Sequence, residues 1–146
     1  MAETLGSLCD KLTIVKLKQY HSADSARLES LAVQENQLID EMNDFISDAL
    51  NGHIPLNKLT FKANKVYKKE GNEVSEVKGS IGEVFAQLAK VNCELWHEQE
   101  KVYEFEAVPA DEKDKVVKQL AILNLQRNTC IDNIDMAFSK MVADKR

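Results

Sequence analysis

The longest apolar repeat in the chain runs from Val74 to Phe105, and every step in it is three or four residues in strict alternation. Its members are Val74, Val77, Ile81, Val84, Leu88, Val91, Leu95, Glu98, Val102 and Phe105. This is a heptad pattern, which places one side chain per turn on a single face of a helix packed against another helix. We therefore predict a long third helix that begins after an N-cap at Asn72 and ends before Pro109.

Three further segments show the same helical spacing. The first helix is apolar on more than one side, with Leu5, Leu8, Leu12 and Val15 on one face and Ile14, Leu17 and Tyr20 beside them. The second, which stops at Asn51-Gly52, carries Leu28, Leu31, Glu35, Leu38, Met42, Phe45 and Ala49. The fourth, expected to start at Asp111, carries Val117, Leu120, Asn124, Arg127, Ile131, Ile134, Phe138 and Met141.

These four segments predict an all-α fold in a single domain over residues 1–146. With 44% hydrophobic residues but only 5 Gly and 2 Pro, the composition excludes disordered and many-stranded classes. The fold class we expect is an antiparallel four-helix-type bundle, with the last two helices as a hairpin. A short additional helix or an irregular basic connection is expected at about 56–69.

Charge and cysteine content set expectations about partners and compartment. The net charge of −5 argues against nucleic-acid binding. Residues 52–72 are locally basic, with five lysines; this favours contacts with the acidic helices over a phosphate or membrane patch. No apolar run reaches the roughly 18 residues of a membrane span. The start lacks the features of a secretory signal, and three widely spaced cysteines suit a reducing compartment, so we expect a cytoplasmic protein.

The most informative residues are the polar ones that interrupt the apolar faces, because a buried charge needs a partner. If the third and fourth helices pair across a turn near Val108, a polar layer should form from Glu94, His97, Glu98, Asn124, Arg127 and Asn128. Glu35, or Asp10 with Lys11, could complete it. The layer is either an ion-pair network that fixes helix register, which we favour, or a ligand site in which Arg127 binds an anion and Glu98 acts as base.

Known catalytic motifs are incomplete, so we predict no cofactor and no metal. Glu94 and His97 form one E-x-x-H, but the second copy that a di-iron site needs is missing. Glu73-x-x-Glu76 and Asp132-x-x-Asp135 resemble the acidic pairs of all-helical nucleotide pyrophosphohydrolases, which would imply metal-assisted cleavage of a nucleoside triphosphate. These pairs lie too far apart for that family, and a solvated acidic face explains Glu73 and Glu76 better.

For Trp96 we expect packing at a helix junction, with its indole N–H satisfied.

Three segments resemble uncharacterised bacterial helical families. Residues 92–101, NCELWHEQEK, are similar to an "LWHEEDKAR" motif, and residues 123–135 to "LNQQRND…IE.ID". Residues 8–14, LCDKLTI, resemble a related group that begins with a "DKLTI" helix. Gln99 and Thr129 depart from the acids usual in the first family. The resemblance implies a helical bundle of no established activity, often associated with surface-polysaccharide or lipopolysaccharide genes.

Together these observations predict a non-enzymatic helical-bundle protein. Its expected role is that of an interaction or accessory factor linked to glycan assembly, acting through a protein partner or through self-association as a dimer. The alternative is a small enzyme or binding protein for a nucleotide or sugar nucleotide that uses the polar layer.

Overall fold

The computed structural model describes residues 3–61 and 79–146, and in these residues it contains four α-helices and no strand. The helices are α1 (Leu5–Tyr20), α2 (Ser25–Leu50), α3 (Ile81–Tyr103) and α4 (Lys113–Lys145). Two single 3-10 turns, Leu56–Lys58 and Phe105–Ala107, follow α2 and α3. The predicted all-α helical bundle is confirmed.

Three of the four helices begin at a side chain that caps their free N–H groups. Thr4 and Ser7 form a reciprocal capping box at the start of α1. The Asp24 carboxylate accepts from the N–H groups of Ala26 and Arg27 at the start of α2. Ser80 accepts from the N–H of Glu83 at the start of α3. Such caps stabilise a helix by about 1 kcal/mol each, so they define where these helices start.

The end of α2 lies where the sequence predicts it. Asn51 is the C-cap, and Gly52 adopts a positive φ of 78°, a conformation that favours glycine. Arg146, just beyond α4, donates to the carbonyl oxygens of Ala49 at 2.9 Å and Ile54 at 2.6 Å. The Arg146 guanidinium therefore lies at the negative end of the α2 dipole and links the end of α4 to the end of α2.

The predicted starts of α3 and α4 are wrong, whereas α3 does end before Pro109. Gly79, with φ of 123°, and the extended Ser80 interrupt the expected continuous helix, so α3 begins at Ile81. The Asn72 cap and the repeat members Val74 and Val77 lie outside the described residues. At the other end α3 stops at Tyr103, and α4 starts at Lys113 rather than after Asp111. Of the expected extra helix at 56–69, only the turn Leu56–Lys58 falls in the described part.

Helix α1 lies at the centre of the packing and contacts all three other helices, in agreement with its apolar character on several sides. The predicted α3–α4 hairpin is confirmed, since these two helices form the most extensive pair and Glu98 lies beside Gln119. The main core joins the start of α1, the end of α2, the start of α3 and the second half of α4. A smaller cluster of Leu8, Val15, Leu31 and Leu38 holds α2 against α1.

The buried face of α4 is rotated from the predicted one in its first half. Val116 and Leu123 are buried, whereas Val117 is more than half exposed and Asn124 is also exposed. On a straight helix, residues repeated every seven positions shift by about 20° per heptad around the helix axis. A repeat that faces the core at Ile134 has therefore turned away from the core two heptads earlier.

Candidate functional site

The strongest polar contact between helices joins Arg127 on α4 to Asp10 on α1. Arg127 Nε donates to Asp10 Oδ1 at 2.8 Å, and its terminal nitrogen donates to Oδ2 at 2.5 Å. Asp10 is only 6% exposed. The hydrogen bonds to Asp10 raise the pKa of Arg127, against the opposing effect of burial. The guanidinium that the sequence suggested as an anion clamp is therefore held by a carboxylate of its own chain.

Asn92 on α3 extends this contact into a network that joins three helices. Its Nδ2 donates to Asp10 Oδ1 at 3.0 Å and to the Thr13 hydroxyl at 2.6 Å. The Thr13 hydroxyl donates in turn to the backbone carbonyl of Asp10 at 2.7 Å. Asn92 is 1% exposed, and its Oδ1 has no hydrogen-bond partner among the described residues. We call Asp10, Thr13, Asn92 and Arg127 the three-helix network.

A second buried carboxylate, Asp135 on α4, lies at the N-terminus of α1. Its Oδ1 accepts from the backbone N–H of Gly6 at 2.6 Å, and it is 1% exposed. Burial is the main cause that raises the pKa of Asp135 to about 6; the Thr4 hydroxyl and the Gly6 N–H oppose the shift, and the Asp132 carboxylate adds to it. Because Asp135 is bonded to Gly6 in the contact between α1 and α4, its role is in helix packing. This differs from the metal-binding role that the acidic pair Asp132 and Asp135 would imply. The other predicted pair, Glu73 and Glu76, lies outside the described residues.

The predicted polar layer does not form as one cluster. Each charged member on α3 contacts a neighbour on its own helix: Glu94 approaches Lys90 at 4.0 Å, His97 approaches Glu100 at 3.7 Å, and Glu98 pairs with Lys101 at 3.0 Å. Asn124 and Asn128 on α4 are exposed rather than buried. Arg127 pairs with Asp10 instead of Glu94. The prediction that these six residues converge is therefore wrong, although Asp10 does complete the Arg127 contact as one of the options anticipated.

The sequence prediction did not place Asn92, Thr13 or Asp135 among the buried polar partners, for an identifiable reason. It built its polar layer from α3 and α4, with α1 and α2 only as possible additions, and it considered Asp135 only as part of an acidic pair. Asn92 lies next to Val91, so the heptad line passes beside it, and Asp135 lies next to Ile134 in the same way. Their burial follows from α1, which packs against the flanks of both helices.

Trp96 anchors a cluster of rings where the ends of α1 and α3 meet. The His21 ring stacks on the indole at a centroid distance of 4.9 Å and an angle of 7°, and His97 lies edge-on to His21 at 5.9 Å. The indole Nε1 donates to Glu100 at 3.0 Å. Trp96 therefore packs at a helix junction with its N–H satisfied, as predicted.

An open apolar groove of about 450 Å³ runs between α2 and α3, with α1 as its floor. It is lined by Leu12, Thr13, Lys16, Leu17, Glu35, Phe85 and Ala89. Lys16 and Glu35 form an ion pair of 3.0 Å on its rim. By helical spacing, the half-buried Cys93 and Trp96 continue the stripe of Phe85 and Ala89 along α3. The volume lies within the range of ligand and peptide sites.

Comparison with known proteins identifies no relative: no family model, no curated protein and no solved structure matches the chain. In residues 3–61 and 79–146, no three His, Cys, Asp or Glu side chains come together in a way that could hold a metal ion. Over the same ranges, no helix is both long and apolar enough to cross a membrane.

Proposed function

We propose that the protein is a non-catalytic helical interaction module, and that the groove between α2 and α3 is its docking site. The observation that carries the proposal is the apolar lining of Leu12, Leu17, Phe85 and Ala89, which is half-buried and forms a groove open to solvent. A concave, mostly apolar groove of this volume with a few polar groups on its rim is typical of a binding site.

The polar contacts favour this role over an enzymatic one. Arg127 is held by Asp10, and Asn92 contacts both Asp10 and Thr13, so these four side chains are bonded to one another. The other buried carboxylate, Asp135, accepts from the backbone N–H of Gly6. Such a network supports a helix register, and in the described part of the chain its four side chains are engaged with one another rather than directed at a substrate. The charged cleft that contains Glu98 holds two acids and two lysines, which offers an anion no net attraction.

We further propose that the partner acts in bacterial surface-glycan assembly. The support is the resemblance of residues 8–14, 92–101 and 123–135 to helical families often associated with such genes. Those segments contain all four members of the three-helix network. The resemblance therefore falls on residues that hold the bundle together, and the groove is the part of the molecule that would contact the partner.

A photo-crosslinking experiment with a matched pair of alanines tests the docking site. A photoreactive amino acid at Ala89, in the groove, should give a discrete adduct in cells of the source organism, whereas the same residue at exposed Ala86 on the same helix should not. The protein identified in the adduct is then purified and its binding measured. Ala89→Arg should abolish that binding, and Ala86→Arg should leave it unchanged.

Two results would overturn the proposal. One is an adduct of equal yield from both positions, or from neither. The other is binding that survives Ala89→Arg while circular dichroism shows a preserved fold. Sedimentation equilibrium tests whether a second copy of the chain occupies the groove instead. If the chain is a dimer and Ala89→Arg converts it to a monomer, the occupant is a second copy and not a partner protein.

A further inference from the structure

Asp135 is a buried carboxyl that forms no ion pair among the described residues. The residue is 1% exposed, and while its Oδ1 accepts from the backbone N–H of Gly6 at 2.6 Å, its Oδ2 has no hydrogen-bond partner in the described part of the chain. The other buried carboxylate, Asp10, is paired with Arg127. A carboxylate buried without a cation is less favourable than its neutral form, so this site favours a proton. Oδ2 is the oxygen that is free to carry it.

The titratable groups around Asp135 reinforce this preference. Burial is the main cause that raises its pKa to about 6, and the Asp132 carboxylate, one turn earlier on α4, raises it further. On α1, the Cys9 thiol has a pKa raised to about 12, chiefly by burial, so it carries no charge near neutral pH. Lys11, also on α1, is bonded to Glu3. From α2 and α3 the adjoining core receives apolar side chains, which include Phe45, Ala49, Val84 and Leu88.

Asp135 lies in the contact between the start of α1 and α4, so water reaches its carboxyl when these two helices separate. A Cβ on Gly6 would lie 2.5 Å from the Ile131 carbonyl oxygen, which shows that the two backbones are in direct contact here. The same part of α1 places Leu5 and Cys9 in the main core. The charge on Asp135 is therefore coupled to a contact between two helices.

We propose that Asp135 is a proton switch for the contact between the start of α1 and α4, a device separate from the groove. With the proton on Oδ2 the start of α1 is docked, and loss of the proton favours a local opening in which the carboxylate is hydrated. On opening, the carboxyl regains its ordinary pKa of 3.8 from the value of about 6 in the docked state. Linkage then raises the opening equilibrium constant about tenfold between pH 5 and pH 7, with little further change above pH 7.

Hydrogen–deuterium exchange of the full chain, resolved by peptide mass spectrometry at pH 5, 6, 7 and 8, tests this switch. Rates are divided by the intrinsic exchange rate at each pH, which gives the opening equilibrium of each segment. We expect protection over residues 8–12 of α1 to fall about tenfold between pH 5 and pH 7, and protection over residues 88–95 of α3 to fall less. Asp135→Asn cannot ionise, so it should remove the pH dependence. Asp144→Asn, at an exposed position on the same helix, should retain it.

Three results would overturn the switch. The first is protection of α1 that is the same at pH 5 and pH 7, and the second is a pH dependence that persists in Asp135→Asn. The third is an equal loss of protection in all four helices, which would mean that ionisation acts on global unfolding alone. Carbon-13 NMR titration of the Asp135 carboxyl in the original chain needs no substitution. We expect its inflection near pH 6, and an inflection near the ordinary value of 3.8 would also overturn the switch.

Discussion

Arg127 on α4 and Asp10 on α1 form a two-point ion pair, with donor–acceptor distances of 2.8 and 2.5 Å, across a contact 117 residues apart in sequence. Because Asp10 is buried, this pair couples the first helix to the last. Asn92 adds α3 to the same carboxylate. The relationship explains why a charged residue is tolerated on the buried side of α4.

Removing Arg127 should be strongly destabilising. Arg127→Ala leaves the buried Asp10 carboxylate with Asn92 as its side-chain partner, and loss of one member of a buried pair costs about 3–5 kcal/mol. Urea denaturation followed by circular dichroism measures the free energy of unfolding. Exposed Arg27 on α2 is the control, since Arg27→Ala should change this value by less than about 0.5 kcal/mol. Equal losses in the two variants would contradict a structural role for the pair.

The contact of Gly6 with α4 should not tolerate a methyl group. A Cβ at Gly6 would lie 2.5 Å from the Ile131 carbonyl oxygen and 2.8 Å from Asp135 Oδ1, so α1 and α4 would have to separate. We expect Gly6→Ala to lower the free energy of unfolding by about 1–3 kcal/mol. Gly82 in α3 has open space around it, and Gly82→Ala should stabilise by about 0.5–1 kcal/mol. Thermal or urea unfolding of the two variants should therefore shift in opposite directions.

Asp135 should make stability depend on pH. Its pKa is about 6 in the folded protein against an ordinary value of 3.8, so folding favours the protonated form. The stabilisation is fully present below about pH 4 and is lost as the pH rises through 6, by up to about 3 kcal/mol. Asp135→Asn keeps an acceptor for Gly6 and cannot ionise. Its stability relative to the original chain should therefore rise between pH 4 and pH 7 in urea titrations; a difference that stays constant over this range would contradict the prediction.

The three cysteines should differ in reactivity. Burial is the main cause that raises the pKa of Cys9, to about 12, and burial also raises the pKa of Cys130. Cys93 is only half-buried. Because the thiolate is the reactive form, a thiol reagent at pH 8 should label Cys93 rapidly and the other two only on unfolding. Mass spectrometry of the native protein should find one fast site, which Cys93→Ser removes; fast labelling of Cys9 would contradict this packing.

The ring stack on Trp96 can be followed directly, because Trp96 is the only tryptophan. His21→Ala uncovers one face of the indole, so its fluorescence emission should shift to longer wavelength. His53 lies in the connection after α2, with its Nδ1 3.6 Å from Asp48, and it takes no part in the ring stack, so His53→Ala should leave the emission unchanged. An unchanged spectrum in His21→Ala would mean that the two rings do not stack in solution.

Local pattern was sufficient to predict the helical class, the α3–α4 hairpin and the end of α2 at Asn51-Gly52. These features depend on residues close in sequence: three- and four-residue spacing sets which face is buried, and Gly52 supplies the positive φ. The start of α3 was less predictable, because the apolar spacing begins before Gly79 and Ser80, whereas α3 starts only after them, at Ile81.

The partners of the buried polar groups were decided only by the tertiary structure. The spacing on α4 marks Arg127 as buried, but it cannot show that Asp10 on α1 lies opposite, since several helix arrangements bury the same apolar faces. Burial makes each unpaired charge costly, so the arrangement that pairs Asp10 with Arg127 and Asp135 with the start of α1 is selected over the others. The groove between α2 and α3 has the same origin: it depends on where whole helices lie around α1, which a repeat along one helix does not specify.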